Sequence, residues 1–114
     1  MSKRGDKLYF EDIVSSIEKI ESYVVGMNFE TFSADHKTID AVVRNLSIIG
    51  EASNNLSEKI KSVNTDIPWS EIIGMRNKII HEYFGVDEEI LWKTVQEDIP
   101  EFKKLLEKIG YSFK

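Results

Sequence analysis

Ile39, Val42, Leu46, Ile49, Ser53, Leu56, Ile60 and Val63 follow one another at alternating intervals of three and four residues, and no other feature constrains the fold of this chain as strongly. Only a helix, turning ~100° per residue, gathers such positions on one face. The run predicts a single helix of about 28 residues, ~42 Å long, whose seam suits a neighbour crossing at a shallow angle. That length exceeds what a small bundle asks of each member, so part of the helix is expected to reach another subunit. Gly50 lies inside the run, where it costs about 1 kcal/mol relative to alanine, and its presence points to a close helix approach.

The flanking segments repeat the pattern. Tyr9, Ile13, Ile17, Ile20 and Val24 predict a first helix from about Asp6 to Val25, closed by Gly26, with Met27 to Ser33 as a connector. Asn64-Thr65-Asp66 interrupts the seam, and Pro68 suits a first helical position, so a third helix is expected from about Pro68 to Phe84, ended by Gly85. Asp87 can cap a fourth helix bearing Leu91, Trp92 and Val95. Pro100 is expected to interrupt it, with Asp98 and Glu101 forming a capping box for a fifth helix that carries Phe102, Leu105, Leu106 and Ile109. No stretch alternates as a strand does. The expected architecture is an all-α bundle of four or five helices in one domain spanning residues 1–114.

Composition removes several classes of function. A formal charge of −5 argues against a broad basic surface for nucleic acid, which works by neutralising many phosphates, but leaves room for a local site holding one phosphodiester. The chain has no cysteine, hence no disulfide framework and no thiol nucleophile. No apolar run approaches the ~18 residues of a membrane span, and the polar start Met1-Ser2-Lys3-Arg4 lacks the apolar core of a signal peptide; a cytoplasmic location is expected. The two histidines, His36 and His81, are far apart and show none of the spacings of zinc ligands, so no metal site is expected.

Arg76-Asn77-Lys78-Ile79-Ile80-His81-Glu82-Tyr83 carries the chemistry. With ~100° steps from Trp69, residues Ile72, Ile73, Ile80 and Tyr83 fall within ~60° of it, and Arg76 falls near the centre of that apolar arc. A guanidinium keeps its charge, so there it must meet a carboxylate, a carbonyl, a subunit interface or a solvent-filled cleft. A structural salt bridge, to Glu51 or another carboxylate of the long helix, is the plain alternative to a functional role. On a continuous helix Arg76 and His81 stand ~7.5 Å apart along the axis and ~140° around it, so a joint site needs long side chains converging on a groove or a second copy of the helix. Taken singly, His81 reads as a packing residue and Tyr83 as an aromatic at the core rim. Together, an arginine that binds phosphate and an imidazole that moves a proton at neutral pH are the two parts needed to cleave RNA through its own 2′-hydroxyl without a metal.

These residues resemble the HEPN superfamily and, within it, the HepT-like toxins of HepT/MntA toxin–antitoxin pairs. The superfamily pattern of arginine, a polar residue and a short run to histidine is matched by Arg76, Asn77 and His81, and the HepT-like extension to tyrosine by Tyr83. The resemblance covers nearly the whole chain, through segments 40–46, 48–52, 67–69, 72–75 and 83–87. It implies a helical homodimer in which two motifs face one cleft. It further implies a metal-independent endoribonuclease with Arg76 and His81 catalytic, Asn77 a supporting polar residue, and no cofactor for cleavage. A partner is implied as well: an MntA-like minimal nucleotidyltransferase that uses ATP and Mg²⁺ to transfer AMP onto Tyr83. A competing expectation is a non-catalytic interaction or nucleotide-binding module, in which Arg76 holds the dimer together and no RNA is cut.

Overall fold

The computed structural model describes residues 5–81 and 85–110. Helix α1 spans Asp6–Tyr23 and buries Phe10, Ile13, Ile17 and Ile20 along one stripe. Past its end the chain turns through Gly26 at φ +77°, a left-handed conformation that glycine adopts without steric cost. The expected connector holds a short helix, α2, at Phe29–Ser33. Five residues show no periodicity, but they carry a capping box: Asn28 Oδ1 accepts from the Thr31 N–H at 2.9 Å and Thr31 Oγ1 from the Asn28 N–H at 3.0 Å. Phe32 is thereby set into the core against Trp92, ring centroids 4.9 Å apart.

The long seam is broken. Helix α3 spans His36–Asn55 and α4 spans Glu58–Val63, with Leu56 and Ser57 extended between them at ψ 149° and 151°. The Ser57 hydroxyl accepts from the Ile60 N–H and caps α4, which local spacing cannot reveal because Ile60 and Val63 continue the periodicity. Val63 is nevertheless 69% exposed. At 20 residues α3 is ~30 Å long, shorter than the ~42 Å the unbroken seam predicts.

Helix α5 spans Trp69–Ile79, with Pro68 one place ahead of it at the cap. The expected helix to Phe84 therefore stops early. Ile80 turns to extended backbone, φ −100° and ψ 119°, and the strand β1, Ile80–His81, pairs antiparallel with β2, Gly85–Val86. Two consecutive β-branched residues, Ile79 and Ile80, favour that exit. The ladder is closed by the Asp87 N–H donating to the Ile79 carbonyl at 2.7 Å.

Asp87 caps α6, Glu88–Lys93, as expected, its carboxylate accepting from the Ile90 N–H. Pro100 does not interrupt the helical path beyond it. A π-helical turn at Thr94–Asp98 leads directly into α7, Ile99–Lys108, and Asp98 makes no side-chain cap. A wider turn lets proline, which cannot donate to an i−4 carbonyl, sit within the first turn of α7 while the helical body continues.

The described residues form an all-α bundle with one short ladder of two residues per strand. Helix α3 is central and packs against both α1 and α5. Phe10, Ile13, Leu46, Ile49, Leu91, Phe102 and Leu106 contribute to one continuous core. Lys103 Nζ meets Glu21 Oε1 at 3.0 Å and ties α7 to α1.

Candidate active site at the end of α5

The residues of α5 that reach the core are Trp69, Ile72, Met75 and Ile79. On a wheel of ~100° steps with Trp69 at 0°, the other three fall near −60°, −120° and −80°, so the buried face is centred roughly 65° away from Trp69. Arg76 falls near −20° on the same wheel, inside the arc between Trp69 and Ile72 and about 45° from its centre, yet it is exposed rather than buried. Together with Val43 and Leu46 of α3 and with Ile79 and Ile80, it lines a narrow crevice. Among the described residues its guanidinium has no hydrogen bond and no ion pair. The bridge to Glu51 is not formed; Glu51 is exposed too.

Asn77 is exposed one position further on. His81 lies in β1, opposite Gly85, so the ~140° rotation expected between Arg76 and His81 on a continuous helix does not apply. Because the helix ends at Ile79, the backbone at His81 takes its course from the strand ladder. Tyr83 lies outside the described residues. Val43, Ile73 and Ile80 are partly buried against the core and border Arg76 or its turn of α5. Arg76 and Lys78 occupy the last turn of α5, where cations complement the partial negative charge of the helix end.

A separate groove of about 170 Å³ lies between α5 and α7, lined by Glu71, Ile72, Met75, Lys78, Asp98 and Phe102 among others. Sequence spacing gave no sign of it, because its lining comes from α5 on one side and from the π turn and α7 on the other. His36 opens α3 far along the chain from the motif, next to the capping Asp35. Among the described residues no three His, Asp or Glu side chains gather in a way that could hold a metal ion, and no helix is long and apolar enough to cross a membrane.

The family model described as Ribonuclease HepT-like matches residues 13–109, from the first buried turns of α1 to the end of α7. The chain belongs to the HepT-like ribonuclease family. A relative from Thermococcus cleftensis, named as a probable ribonuclease HepT, is 51% identical over 107 residues, covering 94% of this chain and 97% of its own length. A candidate RNase of Caldanaerobacter subterraneus subsp. tengcongensis is 44% identical over 101 residues, covering 89% and 90%. One from Methanocaldococcus jannaschii is 38% identical over 107 residues, covering 94% and 98%. No solved structure gives a significant match. The HepT-like match takes in the whole segment from Arg76 to His81, so family membership and the exposed arginine concern the same part of the molecule.

Proposed function

We propose that this chain is the toxin of a toxin–antitoxin pair and a metal-independent endoribonuclease. The observation that carries the reading is Arg76: an exposed guanidinium at the end of α5, without a partner among the described residues and beside an apolar crevice, in a chain of the HepT-like ribonuclease family. A fixed positive charge held on a packed helix binds a phosphodiester and stabilises the charge that grows on it in the transition state.

In this scheme His81 takes the proton of a ribose 2′-hydroxyl, the 2′-oxygen attacks phosphorus, and the bond from phosphorus to the 5′-oxygen breaks. The leaving oxygen takes up a proton, and the products are a 2′,3′-cyclic phosphate and a 5′-hydroxyl. Asn77 supports the bound phosphate with its amide. A homodimer that joins two motifs in one cleft supplies a second His81, so that base and acid need not be one group. The partly buried Val43, Ile73 and Ile80 give the dimer an apolar border around Arg76. Cleavage uses no cofactor. An MntA-like nucleotidyltransferase silences the enzyme by transferring AMP from ATP, with Mg²⁺, onto Tyr83, placing a bulky anion where the RNA phosphate binds. Substrate, toxin and antitoxin all belong to the cytoplasm.

The net charge of −5 favours a second reading, a non-catalytic module that binds a nucleotidyltransferase. Total cellular RNA incubated in EDTA with wild-type protein and with His81→Ala separates the two, with intact mass excluding AMP on Tyr83. Fragmentation by wild type alone supports the ribonuclease. Absence of cleavage by unmodified dimer supports the module.

A further inference from the structure

We infer that Gly50 is a positioning residue for Arg76 and Asn77, setting how deeply α5 seats on α3; as a statement about catalysis this rests on the ribonuclease reading above. A Cβ on Gly50 would lie 3.1 Å from the Ile73 carbonyl oxygen and 3.5 Å from that of Ile72. The contact is backbone against backbone, so no side chain can rotate aside to relieve it. In an α-helix those two carbonyls accept the N–H groups four residues on, which are the N–H groups of Asn77 and Arg76. Gly50 therefore bears directly on the acceptors that hold the two motif residues in their last helical turn.

The position of α3 is the firmer of the two. It packs against both α1 and α5, is capped at one end by Asp35, and is anchored next to its other end where Asp6 binds Ser57. Helix α5 has 11 residues and ends in a two-residue ladder. A methyl group at position 50 moves α5 outward by a few tenths of an ångström, and Arg76 moves with it relative to Val43 and Leu46. Gly74 makes a natural comparison: it lies in α5 itself, and a Cβ there meets nothing within 4 Å among the described residues. Both glycines gain helix propensity on becoming alanine, but only the first carries a close backbone contact.

The test compares Gly50→Ala, Gly50→Val and Gly74→Ala with wild type, all as full chains. Gly50→Ala is expected to keep its dimer and a melting temperature near that of Gly74→Ala, because better helix propensity offsets the tighter contact. The backbone amide signals of Arg76 and Asn77 should shift in Gly50→Ala and further in Gly50→Val, although position 50 is remote from them in sequence. On an RNA substrate, kcat should fall about 5-fold in Gly50→Ala with KM within about twofold, in keeping with the steep loss of rate that small misplacements cause. Unmoved Arg76 and Asn77 amides, or a kcat equal to that of Gly74→Ala, would overturn the inference. If wild type cuts no RNA, the ribonuclease reading fails, and the amide shifts still decide whether Gly50 places this turn. Should Gly50→Ala be partly unfolded, sucrose restores the compact state and the comparison is made in its presence.

Discussion

The Asp6 carboxylate accepts both the backbone N–H and the hydroxyl of Ser57, each at 2.8 Å, and so joins the first turn of α1 to the break that ends α3. Ser57 then uses the same hydroxyl oxygen to cap α4. Charge-assisted hydrogen bonds of this kind are stronger than neutral ones, but these are exposed, so Asp6→Ala is expected to cost about 1–2 kcal/mol of stability. Urea denaturation measures it. A midpoint unchanged from wild type would mean that the α3–α4 break is held by packing at Leu56 alone.

The same pair shows where sequence reading stops. Periodicity found α1 and the body of α3, because both bury one face and burial imposes the three-and-four spacing. It could not find the break, since Ser57 is tied to a residue 51 positions away and Ile60 and Val63 happen to continue the pattern. At Arg76 the limit is different: the helix stops at Ile79, yet Arg76 still falls between the buried Trp69 and Ile72 on the wheel, so its exposure depends on what packs beside the last turn of α5, which spacing does not show. The motif residues were legible as chemistry through their types and order, whereas the strand that carries His81 arises from pairing with Gly85 and Val86. The π turn was hidden because Pro100 looks like a helix breaker until the chain is seen to widen ahead of it.

Arg76 offers a clean separation of stability from function. It is exposed and has no partner among the described residues, so Arg76→Ala should leave folding stability within about 0.5 kcal/mol of wild type. RNA cleavage should fall about 100-fold or more, the scale on which one preorganised charge contributes to a transition state. Arg76→Lys should recover only a part, because a point charge lacks the planar fork that matches a phosphate. Paired melting curves and single-turnover assays decide the matter: full activity in Arg76→Ala would remove the arginine from the proposed mechanism.

Asp35 gives a prediction in pH. Its carboxylate caps α3, accepting from the Thr38 N–H at 3.0 Å and the Thr38 hydroxyl at 2.8 Å, and the backbone hydrogen bond from Thr38 is the foremost cause that lowers its pKa below the ordinary 3.8. A depressed folded-state pKa means that the stabilisation is fully present above the unfolded value and is lost as pH falls through the folded one. Asp35→Asn keeps an acceptor at the cap without the titrating charge. Wild type should therefore be the more stable at neutral pH and should lose that advantage as pH falls below 3.8, so that Asp35→Asn shows the shallower loss and the two curves converge in acid. Parallel curves through that acid range would show that the cap does not contribute to acid unfolding.

Gly85 tests whether the ladder matters to the chemistry. It has φ +81° and sits opposite His81, and a Cβ there would meet nothing within 4 Å among the described residues, so the cost considered is conformational. Alanine in the left-handed region costs roughly 1–2 kcal/mol, while asparagine tolerates it better. Because the ladder has two residues per strand, that cost falls mainly on the local hairpin, and global stability should change by less than about 1 kcal/mol. Amide exchange of Asp87, which donates to Ile79 at 2.7 Å, should quicken in Gly85→Ala and less so in Gly85→Asn. Under the ribonuclease reading, cleavage should follow the same order, wild type above Gly85→Asn above Gly85→Ala, since the ladder fixes the backbone from which His81 acts. Faster exchange with undiminished cleavage would show that His81 is positioned by something other than its pairing with Gly85.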